Sequence, residues 1–263
     1  YSTKAEADGN SVTVAGGTVV AVTGGHSQAS TATGNSVTLS GGTITEAIGG
    51  YSTSGKVSTN SVSVSGGTIT KAIGGRTNAG FVSGNTAEAS GGTVTGYLIG
   101  GFSGNGSVTG NKVTITGGDI KRAYGGYTTG AGAVHDNTIT KTGGDIGVTL
   151  RGGFSGKADV TGNSVIINGA TVTGNIEGGH GGKATISGNS VGLSNATVKG
   201  TVYGGTSNSR GIDSGNTITA SGVNSVGGLD GYDTLGLTAG SANAGSGKAV
   251  LTVTGSGGAA FKN

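Results

Sequence analysis

Apolar and hydroxyl-bearing residues alternate along this chain in short runs, and pairs of glycines separate the runs. Ser36-Val37-Thr38-Leu39 sends Val37 and Leu39 to one side and Ser36 and Thr38 to the other. Thr43-Ile44-Thr45 resumes the alternation after Gly41-Gly42, and a second pair, Gly49-Gly50, follows it. A period of two is the pattern of a half-buried β-strand. A third, looser run carries Val57, Val82, Val108, Val134, Val160, Ile186 and Ile212, each three or four residues before an asparagine. No stretch shows the 3.6-residue period of a helix.

The asparagines set the repeat. Asn10, Asn35, Asn60, Asn85, Asn111, Asn137, Asn163, Asn189 and Asn216 are separated by 25, 25, 25, 26, 26, 26, 26 and 27 residues. A unit of that length cannot bury a core alone, so it must stack on copies of itself. Three strands and three corners per unit predict an all-β parallel β-helix, with coils of about 25–26 residues and nine to ten coils over the chain. At the spacing of neighbouring strands this makes a rod about 45 Å long. Interior positions follow from offsets to the asparagine. Two residues on stand Val12, Val37, Val62, Ala87, Val113, Ile139, Val165, Val191 and Ile218; nine residues on stand Val19, Ile44, Ile69, Val94, Ile120, Ile146, Val172 and Val198. The glycine pairs read as corners, since glycine reaches positive φ without steric cost. The asparagines read as a structural ladder at a corner, each amide bonding turn backbone and the asparagines above and below.

Composition narrows the class. Sixty-two glycines would suggest disorder if aperiodic, but here they fall at fixed offsets. Proline and cysteine are absent, so ladder donors are kept and no disulfide or thiolate metal site exists. A formal charge of only +3 does not suit nucleic-acid binding, and no run is apolar enough for membrane insertion. Tyr1-Ser2-Thr3 repeats the spacing of Tyr51-Ser52-Thr53, so the chain begins part-way round a coil. That start leads us to expect a processed, secreted polypeptide. The repeats occupy residues 1–226; residues 227–263 read as a degenerate last coil, a cap or a junction segment.

Candidate chemistry concentrates after the second glycine pair. There stand His26, Tyr51, Arg76, Phe102, Tyr127, Phe154 and His180. Stacked at coil spacing they form an aromatic and cationic stripe, either a stabilising column or a surface for sugars or a protein partner. Thr-x-Thr pairs at Thr43, Thr68, Thr93 and Thr171 resemble the arrays of ice-binding proteins, interrupted at Asp119 and Asp145. Those two aspartates, flanked by Lys121 and Arg122, are the nearest approach to an acid–base pair of a polysaccharide-acting β-helix enzyme, and the blander reading is an outward charge pair. Glu46 with Lys71 and Arg151 with Glu177 read as exposed ion pairs. His26 and His180 lie six coils apart, roughly 29 Å, and cannot share an ion. No metal, cofactor or catalytic residue is expected.

The unit Gly34–Thr45, followed by Gly49-Gly50-Tyr51-Ser52, resembles repeats in large surface proteins of Gram-negative bacteria, and is similar to the passenger region of autotransporter adhesins. The resemblance spans about residues 1–226. It implies a right-handed parallel β-helix, export across the outer membrane, and an adhesive or spacing role at the bacterial cell surface. The expectation is therefore a non-enzymatic extracellular protein, a rigid stalk, adhesin or fibre subunit. Its expected partners are further copies of itself, end to end, and host or surface glycans. The alternatives are a carbohydrate-binding or polysaccharide-acting β-helix and, behind it, an ice-binding protein.

Overall fold

The computed structural model describes residues 5–182, 184–207, 213–239, 247–255 and 259–261. Every strand pairing among them is parallel, and no helix occurs. The chain is a β-solenoid of about nine turns. Each coil contributes to three faces. The first holds strands such as Ser36–Leu39, the second Thr43–Ser52, and the third two-residue strands such as Val57–Ser58. Among the described residues the third face is a nine-stranded sheet. In two successive coils the first and second strands fuse, as Thr86–Ser103 and Lys112–Thr128.

Registry is what makes the core. Val37 pairs with Val62 and Leu39 with Val64, while Ile44 pairs with Ile69 and Ala47 with Ala72. Like therefore covers like, and the apolar columns are buried from Val37 through Ile218 and from Ile44 through Val198. In the first coil Val12 and Val19 are only partly buried. The third face adds Val57, Val82, Val108, Val134, Val160 and Ile186. Strand pairing sets Asp213 opposite Ile186; Ile212 lies outside the described residues, as do Tyr1, Ser2 and Thr3. One column contains a misfit: Lys141 stands between Ile115 and Ile167, wholly buried, and donates from Nζ to the Gly143 and Gly144 carbonyls at 2.8 and 2.6 Å.

The corners correct the glycine reading. The first pair does turn the chain: Gly42, Gly67, Gly92, Gly118 and Gly144 take φ of 85°, 75°, 70°, 81° and 68°. The second pair does not. Gly49 and Gly50 lie inside an extended strand, and a Cβ on Gly50 would overlap the Asn60 amide. These glycines are needed for close approach, not for φ. The turn comes just afterwards, where a buried hydroxyl takes over: Gly55 N donates to Ser52 Oγ at 2.9 Å and Gly106 N to Ser103 Oγ at 2.8 Å. The residue before the asparagine also sits at positive φ, usually as glycine, but as Thr59 at 54° and Asp136 at 57°.

The described part of the 227–263 segment continues the stack. Thr234–Thr238 pairs with Thr217–Ser221, and Leu251–Val253 pairs with Asn224–Val226. This last coil is shorter, because Asp233 reaches the position above Asn216 after only 17 residues. The chain gets there by going straight from Tyr232 to Asp233, with no third strand between, and Tyr232 is fully buried.

Candidate functional site

The asparagines form one hydrogen-bonded column. Each backbone N–H and each Nδ2 donates to the Oδ1 of the asparagine one coil on: Asn60 to Asn85 at 2.9 and 2.9 Å, Asn137 to Asn163 at 3.0 and 2.9 Å. Nδ2 also donates to a third-face carbonyl, as from Asn35 to Ala7 at 2.8 Å and from Asn216 to Ile186 at 3.0 Å. Asn10 joins through Asn35 Oδ1, and Asp233 ends the run by accepting from Asn216 N at 2.9 Å. From Asn35 to Asn216 the side chains are buried. A glycine column faces them: Gly50, Gly75, Gly101, Gly126, Gly153 and Gly179 lie against Asn60, Asn85, Asn111, Asn137, Asn163 and Asn189. Buried amides must find partners, and here every coil supplies those of the next.

The stripe is continuous on the outside of the second face. Registry carries His26 to Tyr51, Arg76, Phe102, Tyr127, Phe154, His180 and Thr206 in consecutive coils. Centroids of His26 and Tyr51 are 4.7 Å apart, and the Arg76 guanidinium lies 5.7 Å from the Tyr51 ring and 5.5 Å from Phe102. Phe102, Tyr127, Phe154 and His180 then stack at 5.2, 4.8 and 5.2 Å with interplanar angles of 19°, 14° and 13°. Rings stacked this way turn their faces towards one another along the axis and their edges to solvent, so the faces a sugar would pack on are largely spent within the column.

Beside it runs a second outward column that the sequence pattern did not single out: Ile48, Ile73, Ile99 and Tyr124, all buried, with Arg151 and Glu177 above. The alternation slips by one between the interior residues Ile44 and Ala47, which turns these positions outward, and the neighbouring aromatics cover them. A third column carries Glu46, Lys71, Tyr97 and Arg122. Where the three meet, a groove of about 240 Å³ opens, lined by Lys71, Arg76, Tyr97, Phe102, Tyr124 and Tyr127 among others. Burial pushes the Tyr124 phenol up, opposed by Arg151 and reinforced by the nearby Tyr97. The repeated isoleucine thirteen residues after Asn35 and Asn60 was the available signal for the second column.

Both expected ion pairs change. Glu46 shares a register position with Lys71, yet its carboxylate is taken at both oxygens by Arg76, at 2.9 and 3.0 Å, across the diagonal. Arg151 does meet Glu177 at 3.0 Å, but Glu177 is buried. Its second oxygen takes His180 Nδ1 at 2.7 Å and Thr206 Oγ1 at 2.8 Å. Burial opposes ionisation of Glu177, and the bonds from His180 and Arg151 outweigh it, holding the carboxyl below its ordinary range. Asp119 and Asp145 are in register on adjacent coils and open to solvent, beside Lys121. Thr43, Thr68 and Thr93 likewise stack in register on that surface. Among the described residues no group of three His, Cys, Asp or Glu could hold a metal, and no helix is long and apolar enough to cross a membrane.

No protein-family model matches this chain, and comparison with curated proteins and with solved structures finds no significant match.

Proposed function

We propose that this chain is a non-enzymatic structural protein of the cell exterior, a rigid β-solenoid stalk, adhesin segment or fibre subunit. The observation that carries this reading is the unbroken asparagine column, which ties each coil from Asn10 to Asn216 to the next through two bonds to one buried oxygen. Bending the rod would open those bonds in a dry interior, where an unmade bond costs about 1–3 kcal/mol. Among the described residues Ser11–Val14 and Thr18–Ser27 each pair with one neighbouring strand, and an edge of that kind, which a second copy would cover, supports end-to-end assembly.

Electron microscopy of purified chain, with protease shaving of intact producing cells, tests this. Straight rods or filaments of them, from a chain that protease removes without lysis, support it. Compact globular particles, or a chain reached only after lysis, overturn it.

A further inference from the structure

We infer that the groove lined by Lys71, Arg76 and Tyr97, with Arg122 beside it against the Tyr97 ring, binds a carboxylated oligosaccharide of the polyuronate type. The inference goes beyond the scaffold reading and does not depend on it.

The groove is rich in donors and poor in acceptors. Its cations are Lys71 and Arg76, with Arg122 on the Tyr97 ring at 5.5 Å. Its carboxylate, Glu46, is held at both oxygens by Arg76. Among the described residues neither Lys71 nor Arg122 pairs with a carboxylate. The phenols of Tyr97, Tyr124 and Tyr127 also line it, and among the described residues no hydrogen bond uses their hydroxyls. A donor-rich concavity calls for an acceptor-rich, anionic guest.

Spacing selects among anions. Lys71 and Arg122 occupy the same column two coils apart, with Tyr97 between them. That is roughly 10 Å between backbones, and with Arg122 laid against the intervening Tyr97 ring the arrangement suits carboxylates on different residues of an oligomer. The volume, about 240 Å³, admits one small ring, with the rest of the oligomer running along the open groove. A single-stranded nucleic acid needs free ring faces for its bases, and Phe102 and Tyr127 spend theirs on each other at 5.2 Å. An acidic peptide added as a strand needs unpaired backbone, and the strands flanking the groove are paired on both sides.

Isothermal titration of the full chain with tetragalacturonate tests this, alongside a neutral tetrasaccharide, a heparin fragment of similar length and a single-stranded oligonucleotide. The expected result is binding of tetragalacturonate at least about tenfold tighter than any of the others. Lys71→Met and Arg122→Met should each weaken it about tenfold, the loss of one charge-assisted contact, and Lys71→Arg should restore it. Lys121→Met, an exposed cation outside the groove, should leave it unchanged. Far-UV circular dichroism establishes that each variant is folded. No uronate binding, equal binding of any other probe, or an equal loss in Lys121→Met overturns the inference. A folded rod that binds none of the probes sinks it and leaves the scaffold reading standing.

Discussion

Truncating one asparagine in mid-column should cost far more than truncating the same residue at the end. Asn137 Oδ1 accepts from Asn111 N at 3.0 Å and from Asn111 Nδ2 at 2.9 Å. Its own Nδ2 donates to Val108 O, His135 O and Asn163 Oδ1 at 3.1, 2.9 and 2.9 Å. In Asn137→Ala most of these partners keep another bond: Asn111 Nδ2 retains Val82 and Thr109, and Asn163 Oδ1 retains Asn137 N. The Asn111 backbone N–H does not, and an orphaned buried donor costs about 1–3 kcal/mol. Adding the net worth of the other lost bonds brings the total to about 3–4 kcal/mol. Asn10→Ala orphans no such group, because Asn10 is exposed and donates only to Asp8 O and Asn35 Oδ1 from its amide. It should cost no more than about 1 kcal/mol. Urea unfolding followed by far-UV circular dichroism measures both. Gly126→Ala extends the test, since the nearest atoms to its new Cβ all belong to Asn137. Combined with Asn137→Ala it should cost at least about 1 kcal/mol less than the sum of the single changes. Equal costs at Asn137 and Asn10, or strict additivity with Gly126→Ala, would refute the reasoning.

Three further outcomes follow from the same geometry. Lys141→Leu should stabilise the chain by about 1–2 kcal/mol at neutral pH, by replacing a buried ammonium with the side chain its column otherwise carries. Burial depresses the Lys141 pKa from 10.5, with Asp145 opposing; the unfolded chain then binds the proton more tightly, so wild-type stability rises with pH and the variant's advantage should shrink towards pH 10.5 in parallel urea titrations. Thr59→Gly should raise stability by about 0.5–1 kcal/mol by thermal melting, since a β-branched residue held at φ 54° is strained by more than glycine loses in entropy. Glu177 has a depressed pKa in the fold, so its contribution is full above the ordinary 4.5 and is lost as pH falls through the folded value. An acid-unfolding curve should therefore be less steep below about pH 4.5 in Glu177→Gln than in wild type.

Most of the fold was legible because solenoid coils repeat the same side chain at the same height. Val37 and Val62 announce one interior column by their alternation alone, and Asn35 and Asn60 give its period. The misreadings are places where the sequence letter underdetermines the reason for it. Gly42 and Gly50 look identical on paper, yet Gly42 is needed for φ 85° and Gly50 because Asn60 occupies the space of a Cβ. Registry pairs Glu46 with Lys71, whereas the longer Arg76 side chain reaches its carboxylate across the diagonal. Ile48 and Ile73 share the parity of the interior Ile44 and Ile69 on paper, yet Ala47 and Ala72 take the inner places and the isoleucines are buried from outside by an adjoining column. Such lateral covering depends on side-chain reach between columns, which a one-dimensional repeat does not display.

Parallel stacking in register is the claim beneath all of this, and spin-label distances test it most directly. The chain lacks cysteine, so labels go only where they are placed. Thr18, Thr43, Thr68, Thr93, Asp119 and Asp145 occupy one register line in successive coils. A label at Thr18 should lie about 19 Å from one at Asp119 and about 24 Å from one at Asp145, an added strand spacing for the added coil. Equal distances for the two pairs, or a longer distance to Asp119 than to Asp145, would contradict the stack.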